Sequence, residues 1–171
     1  MRPTGLIAVT AAVFAAVSLC SFQASACGYD GLVPDLVAAY PQSIDVAISV
    51  RDAFDRSELN ALQPAPNALA LLRAQMLMRR FSPMVGAASR TSRGSVAVLL
   101  VESGMWTRYT LSDNGVAALP HVSGPQDGEP VVITSEAVIS ALLEDKLALD
   151  RATAIGVMVL RERAQVLASS K

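Results

Sequence analysis

The run Ser95 to Val101, SVAVLLV, limits the fold more than any other stretch, because it is apolar on both of its alternating sides. Successive residues of a strand point to opposite faces, so a strand of this composition belongs in the middle of a sheet. Strand chemistry continues after it. Met105, Thr107, Tyr109 and Leu111 alternate with Trp106, Arg108 and Thr110, the period expected of a second strand. Between the two runs, Gly104 supplies the permissive backbone that a hairpin loop needs. Ser112-Asp113-Asn114-Gly115 marks another turn before the strand VAALPH, and the three runs predict an antiparallel meander. Val131 to Thr134 then form a fourth, short strand after the polar loop VSGPQDGEP.

Helical spacing appears on both sides of this block. Downstream, Ser135 is a helix cap with Glu136 at the positive end of the helix dipole, and Val138, Ile139, Leu142 and Leu143 recur at helical intervals. Asp150 caps one more turn, and IGVMVLRE returns to a strand. Upstream, Asn67 caps ALALLRAQMLMRRF, a run of strong helix formers. Its Leu69, Leu72 and Met76 share one stripe while Leu77 and Phe81 extend the apolar surface round the side, which predicts a helix buried on two sides. SPMVGAASRTSRG reads as a mobile loop. In SIDVAISV, alternate Ile44, Val46, Ile48 and Val50 predict a strand, with a helix following from about Asp52 and a break at Gln63-Pro64-Ala65-Pro66.

Meander, fourth strand, capped amphipathic helix, second helical turn and last strand: this order resembles the sterol carrier protein 2 family, an α+β lipid-binding fold. The specific stretch is VVITSEAVISALLEDKLALDRATAIGVMVL, Val131 to Leu160. Ser135, Leu142, Leu143, Lys146, Leu147, Ala152, Gly156, Met158 and Leu160 fall at the family's places without a gap, and the resemblance extends more weakly over residues 67–171. Asp145 stands where the family turn has glycine, Arg161-Glu162 replaces a glycine-containing turn, and most of the family's C-terminal helix is missing. The resemblance implies a mainly antiparallel sheet with helices packed on one face, an N-terminal extension over 27–66, and an apolar ligand held between sheet and helices. Leu69, Leu72, Met76, Leu100, Leu142, Leu143, Leu147 and Met158 are the residues expected to line it. The alternative is an interaction or scaffold protein, or an accessory subunit, with a filled core and no ligand.

Residues 1–26 carry one positive charge, an apolar run and a polar close at Ala24-Ser25-Ala26, the layout of a secretory signal peptide. Cleavage there leaves Cys27 first and alone, since Cys20 is the other of the two cysteines, so no internal disulfide can form. Cys27 is either a plain N-terminal residue or the acylated anchor of a lipoprotein. Ala24, where a lipoprotein site prefers a large aliphatic residue, and the Ala-x-Ala pattern leave both open. The expected location is outside the cytoplasmic membrane, in a periplasm.

Loss of Arg2 with the leader leaves thirteen basic against fifteen acidic residues, a balance that offers no footprint for nucleic acid. His121 is the single histidine, too few for a zinc site with one cysteine. No GxSxG elbow or phosphate-binding Gly-Lys-Ser/Thr ending occurs. The expectation is a non-enzymatic protein without metal or cofactor.

Overall fold

SVAVLLV becomes the central strand. In the computed structural model, which describes residues 40–89 and 93–161, the chain order is α1 (Ser43–Asp55), α2 (Asn67–Ala88), β1 (Gly94–Leu100), β2 (Met105–Ser112), β3 (Gly115–Val122), β4 (Val131–Thr134), α3 (Glu136–Leu143), α4 (Leu149–Ala154) and β5 (Val159–Arg161). The leader, Cys27 and the C-terminal residues 162–171 lie outside the described residues. The five strands form one sheet in the order β3-β2-β1-β4-β5. The β1–β4 pair is parallel and the other three are antiparallel, so the fold is α+β with a mixed, mostly antiparallel sheet.

Register assigns the faces. Val96 pairs with Tyr109 and Tyr109 with Ala118, and in-register partners point to the same side. On that side the Tyr109 hydroxyl donates to the Met78 carbonyl of α2 at 2.6 Å, while Phe81 meets the Tyr109 ring edge-to-face. Burial pushes the Tyr109 phenol well above its ordinary pKa, so it stays a donor. The bond lies one turn before Pro83, which lacks the N–H that Arg79's carbonyl would otherwise accept. The opposite face carries Ala97, Leu99, Trp106, Val131 and Ile133, all buried, and Tyr40 packs edge-to-face on Trp106 there.

Four local expectations are corrected. SIDVAISV opens a helix, not a strand: Val46, Val50 and Ala53 are buried at i, i+4 and i+7. Alternate apolar residues at 44, 46, 48 and 50 satisfy both periods, and the packing of the i, i+4 subset overrides β-branched propensity. The segment read as a mobile loop continues α2 through Ala88, because Met84 and Val85 extend the core-facing arc past Pro83. Asn67 is the first helical residue and not the cap, which Pro66 occupies; likewise Ala148, not Asp150, precedes α4. Ser135 does cap α3, accepting from the Val138 N–H at 3.1 Å. Gly156 combines φ of +76° with an approach so close to α1 that a Cβ would lie 3.0 Å from the Ser49 hydroxyl, so only glycine is free of strain there.

The β3–β4 loop is fastened by Arg108. Its Nε donates to Glu129 Oε1 at 2.9 Å and its Nη2 to the Gly124 carbonyl at 2.9 Å. Burial acts to raise the Glu129 carboxyl, but Arg108, the Gln126 N–H and Ser95 outweigh it and hold the group below its ordinary pKa. Arg108→Met leaves that carboxylate buried without its cation and is expected to cost about 3 kcal/mol in urea unfolding. Adding Glu129→Gln should recover part of the loss; equal stability of the wild type and Arg108→Met would show that the pair contributes nothing.

Candidate functional site

The eight residues expected to line a ligand site separate into three groups. Leu100, Leu142 and Met158 are buried in the core. Leu143 and Leu147 are partly buried and pack against it. Leu69, Leu72 and Met76 stand outside, 58 %, 53 % and 60 % exposed, which overturns the expectation that α2 is covered on that side. The inward arc of α2 is instead Ala70, Ala74, Leu77, Met78, Phe81 and Val85. Ala70 and Ala74 are short enough to bring the helix close to its neighbours, and Leu69 and Leu72 are rotated outward. The structure therefore brings Leu69, Leu72 and Met76 together on one face and does not bring them to the other five.

A shallow groove of about 120 Å³ lies elsewhere, between the segment Glu58 to Leu62 and α3, lined also by Ala137, Ser140, Ala141, Glu144 and Lys146. None of the eight residues lines it. Sites for drug-sized ligands run to roughly 300 Å³ or more, so this groove does not hold a lipid.

A polar network at the start of α3 went unread in the sequence. The Glu136 N–H donates to both carboxylate oxygens of Glu102, at 3.1 and 3.2 Å. The Glu136 side chain, itself buried, accepts from Arg73 Nε of α2 at 3.1 Å, and Arg73 Nη1 donates to the Gln63 carbonyl at 2.7 Å. In the β1–β2 turn Val101 and Ser103 are buried while Glu102 is exposed as a residue, yet its carboxylate oxygens lie against the helix end. Loss of water there is the main influence and pushes its pKa up to about 7, helped by the Glu136 charge and opposed by the Glu102 and Glu136 N–H groups and the Ser135 hydroxyl. The arrangement ties the β1–β2 turn, α3 and α2 together. No sequence pattern joins partners 34 and 63 residues apart.

His121 is the bulged residue just before Val122 at the end of β3, with φ of +62°, and its Nε2 lies 2.8 Å from Gln75 Nε2. Thr107 Oγ1 is buried without a hydrogen-bond partner among the described residues. Among those residues no three His, Cys, Asp or Glu side chains group as a metal site.

No protein-family model matches the chain, and neither does any curated protein. Among solved structures, sterol carrier protein 2-like 2 from Aedes aegypti is similar over 60 % of this chain and 99 % of its own, with 17 % identity and a TM-score of 0.39. A stereoselective inverting sec-alkylsulfatase from a Pseudomonas species matches 45 % of this chain with 14 % identity and a TM-score of 0.37. A double mutant of the sec-alkylsulfatase matches 55 %, with 14 % identity and a TM-score of 0.40. The chain spans only 12 % and 14 % of the length of those two alkylsulfatase chains.

Glu102 gives stability a defined pH dependence. An unfolded glutamate titrates near about 4.3, so between there and pH 7 the folded chain binds more protons than the unfolded one. Stability should then fall as pH rises across that window, by less than the full linkage slope because Glu102 is exposed as a residue and solvent partly screens its carboxylate. Glu129 and Glu144 are held low and act in the opposite sense, losing their contribution only as pH falls through the acid range. Urea midpoints measured from pH 5 to 8 should decline for the wild type and flatten for Glu102→Gln; parallel profiles would show that the Glu102 carboxylate is solvated.

Proposed function

We propose that this chain is an exported, non-enzymatic protein that binds a lipid or other hydrophobic molecule on the outer face of α2. One observation carries the reading: Leu69, Leu72 and Met76 form an exposed apolar stripe over two helical turns, where solvent-facing positions are ordinarily polar. The resemblance of Val131 to Leu160 to sterol carrier proteins points to the same class of ligand. Export, into a periplasm, rests on the leader-like residues 1–26, and Cys27 offers a membrane anchor if it is acylated. The burial of Leu100, Leu142 and Met158 also favours the second reading, an interaction protein with a filled core, in which the same stripe meets an apolar protein surface.

Leu69→Gln, Leu72→Gln and Met76→Gln combined should weaken binding of a fluorescent fatty acid at least about tenfold, since each leucine or methionine contributes through its buried apolar area. Because all three side chains are exposed, the melting temperature should stay within about 2 °C of wild type. Unchanged fatty-acid binding by the triple variant would remove α2 from the ligand site. Absence of fatty-acid binding in the wild type would shift the assignment to the interaction protein.

A further inference from the structure

We propose that the outer face of α2 docks on an anionic lipid bilayer; the proposal rests on the hydrophobic-ligand reading above and names the form in which the lipid is met. At 3.6 residues per turn, Leu69, Leu72, Met76 and Pro83 fall on the arc directly opposite the buried one. All four are exposed. Arg79 and Arg80, also exposed, border this ridge on its two sides. Neither is in a salt bridge among the described residues, although Arg80 adds a smaller contribution to the field that lowers Glu144, whose main partner is Lys146. Arg73, the third cation of α2, is engaged inward by Glu136.

Charge decides which occupant fits. The twenty-two residues of α2 contain three arginines and no aspartate or glutamate, in a chain whose formal charge is −1. A second copy docked through the same helix would bring no aspartate or glutamate of α2 to meet Arg79 and Arg80, and would set arginine against arginine. A bilayer with anionic headgroups accepts the apolar side chains below the interface and the guanidinium groups at it, as a helix lying in the interface plane requires. Arginine stems can lie along the apolar surface while their heads stay at headgroup level. Among the described residues no helix is long and apolar enough to cross a membrane, so α2 lies on the bilayer and does not span it.

Cosedimentation of the purified full chain with vesicles of phosphatidylcholine mixed with phosphatidylglycerol, against phosphatidylcholine alone, tests the assignment. Every variant retains the apolar N-terminal run, so the differences between variants report on α2. Stronger binding to the mixed vesicles is expected, decreasing with added salt. Arg79→Gln with Arg80→Gln should weaken it roughly 30-fold, from about a fivefold contribution per cation at an anionic surface. Leu72→Gln with Met76→Gln should abolish it, both double variants keeping the wild-type circular dichroism and melting temperature. Vesicle binding unaffected by either pair of substitutions overturns the proposal. So does a dimer in sedimentation equilibrium that Leu72→Gln with Met76→Gln dissociates, without preference for mixed vesicles. Retained fatty-acid binding without vesicle binding overturns the docking alone, whereas loss of both in the wild type removes the hydrophobic-ligand reading with it.

Discussion

Everything in this fold depends on satisfying β1 on both of its edges and both of its faces. Ala97, Val98, Leu99 and Leu100 are wholly buried, so their backbone groups need partners within the protein. β2 supplies an antiparallel ladder on one edge and β4 a parallel one on the other. The parallel ladder is extended at both ends, by the Ala97 N–H to the Pro130 carbonyl and the Val101 N–H to the Thr134 carbonyl. A parallel neighbour forces the chain to leave β3 at one sheet edge and return on the far side of β1. The Arg108 to Glu129 pair fixes the loop that makes this crossing. Once β4 is seated, Ser135 starts α3 immediately, and the Glu102 carboxylate on the β1–β2 turn receives the first N–H of that helix. The start of α3 is thus a junction where the central strand's turn, the following helix and Arg73 of α2 meet.

The meander was legible in the sequence because three signals agreed: a period of two, a permissive Gly104 and the Ser-Asp-Asn-Gly turn. Ser135 was legible for the same kind of reason, a short side chain whose oxygen reaches the N–H three residues on. α1 was not, since its four alternate aliphatic residues fit a strand as well as a helix, and only Ala53 one turn later separates the two. The extension of α2 past Phe81 was hidden by Pro83 and Gly86, residues that ordinarily end helices. In the fold, Met84 and Val85 gain enough from core packing to offset the hydrogen bond that Pro83 removes.

The site was less legible than the fold, and the reason lies in α2. A helix with leucine, methionine or alanine on almost every side gives periodicity no phase, so Leu72 and Met76 look as suited to the core as Ala74 and Met78. What sets the rotation is the contact partner: Tyr109 reaches Met78, and Gly86 lies so near the sheet that a Cβ would sit 2.9 Å from Val116. Neither contact can be inferred from spacing along one helix. The Glu102, Glu136 and Arg73 network is invisible for a related reason, because each member alone reads as a solvated charge.

The rotation of α2 also decides how a hydrophobic ligand can be met. An interior cavity surrounds most of a small ligand's surface, but the core positions that would line one here, Leu100, Leu142 and Met158, are filled by their own packing. A convex ridge of three large apolar side chains touches a single lipid on one side, so it buries less of that molecule than a cavity would. In the proposed docking, a bilayer would meet the whole ridge at once and supply the headgroup layer at the height of Arg79 and Arg80. The same residue placement that makes α2 a poor wall for a pocket makes it a suitable surface for the proposed interface, because the inward arc of Ala70, Ala74, Leu77, Met78, Phe81 and Val85 holds the helix on the protein while the opposite face stays exposed.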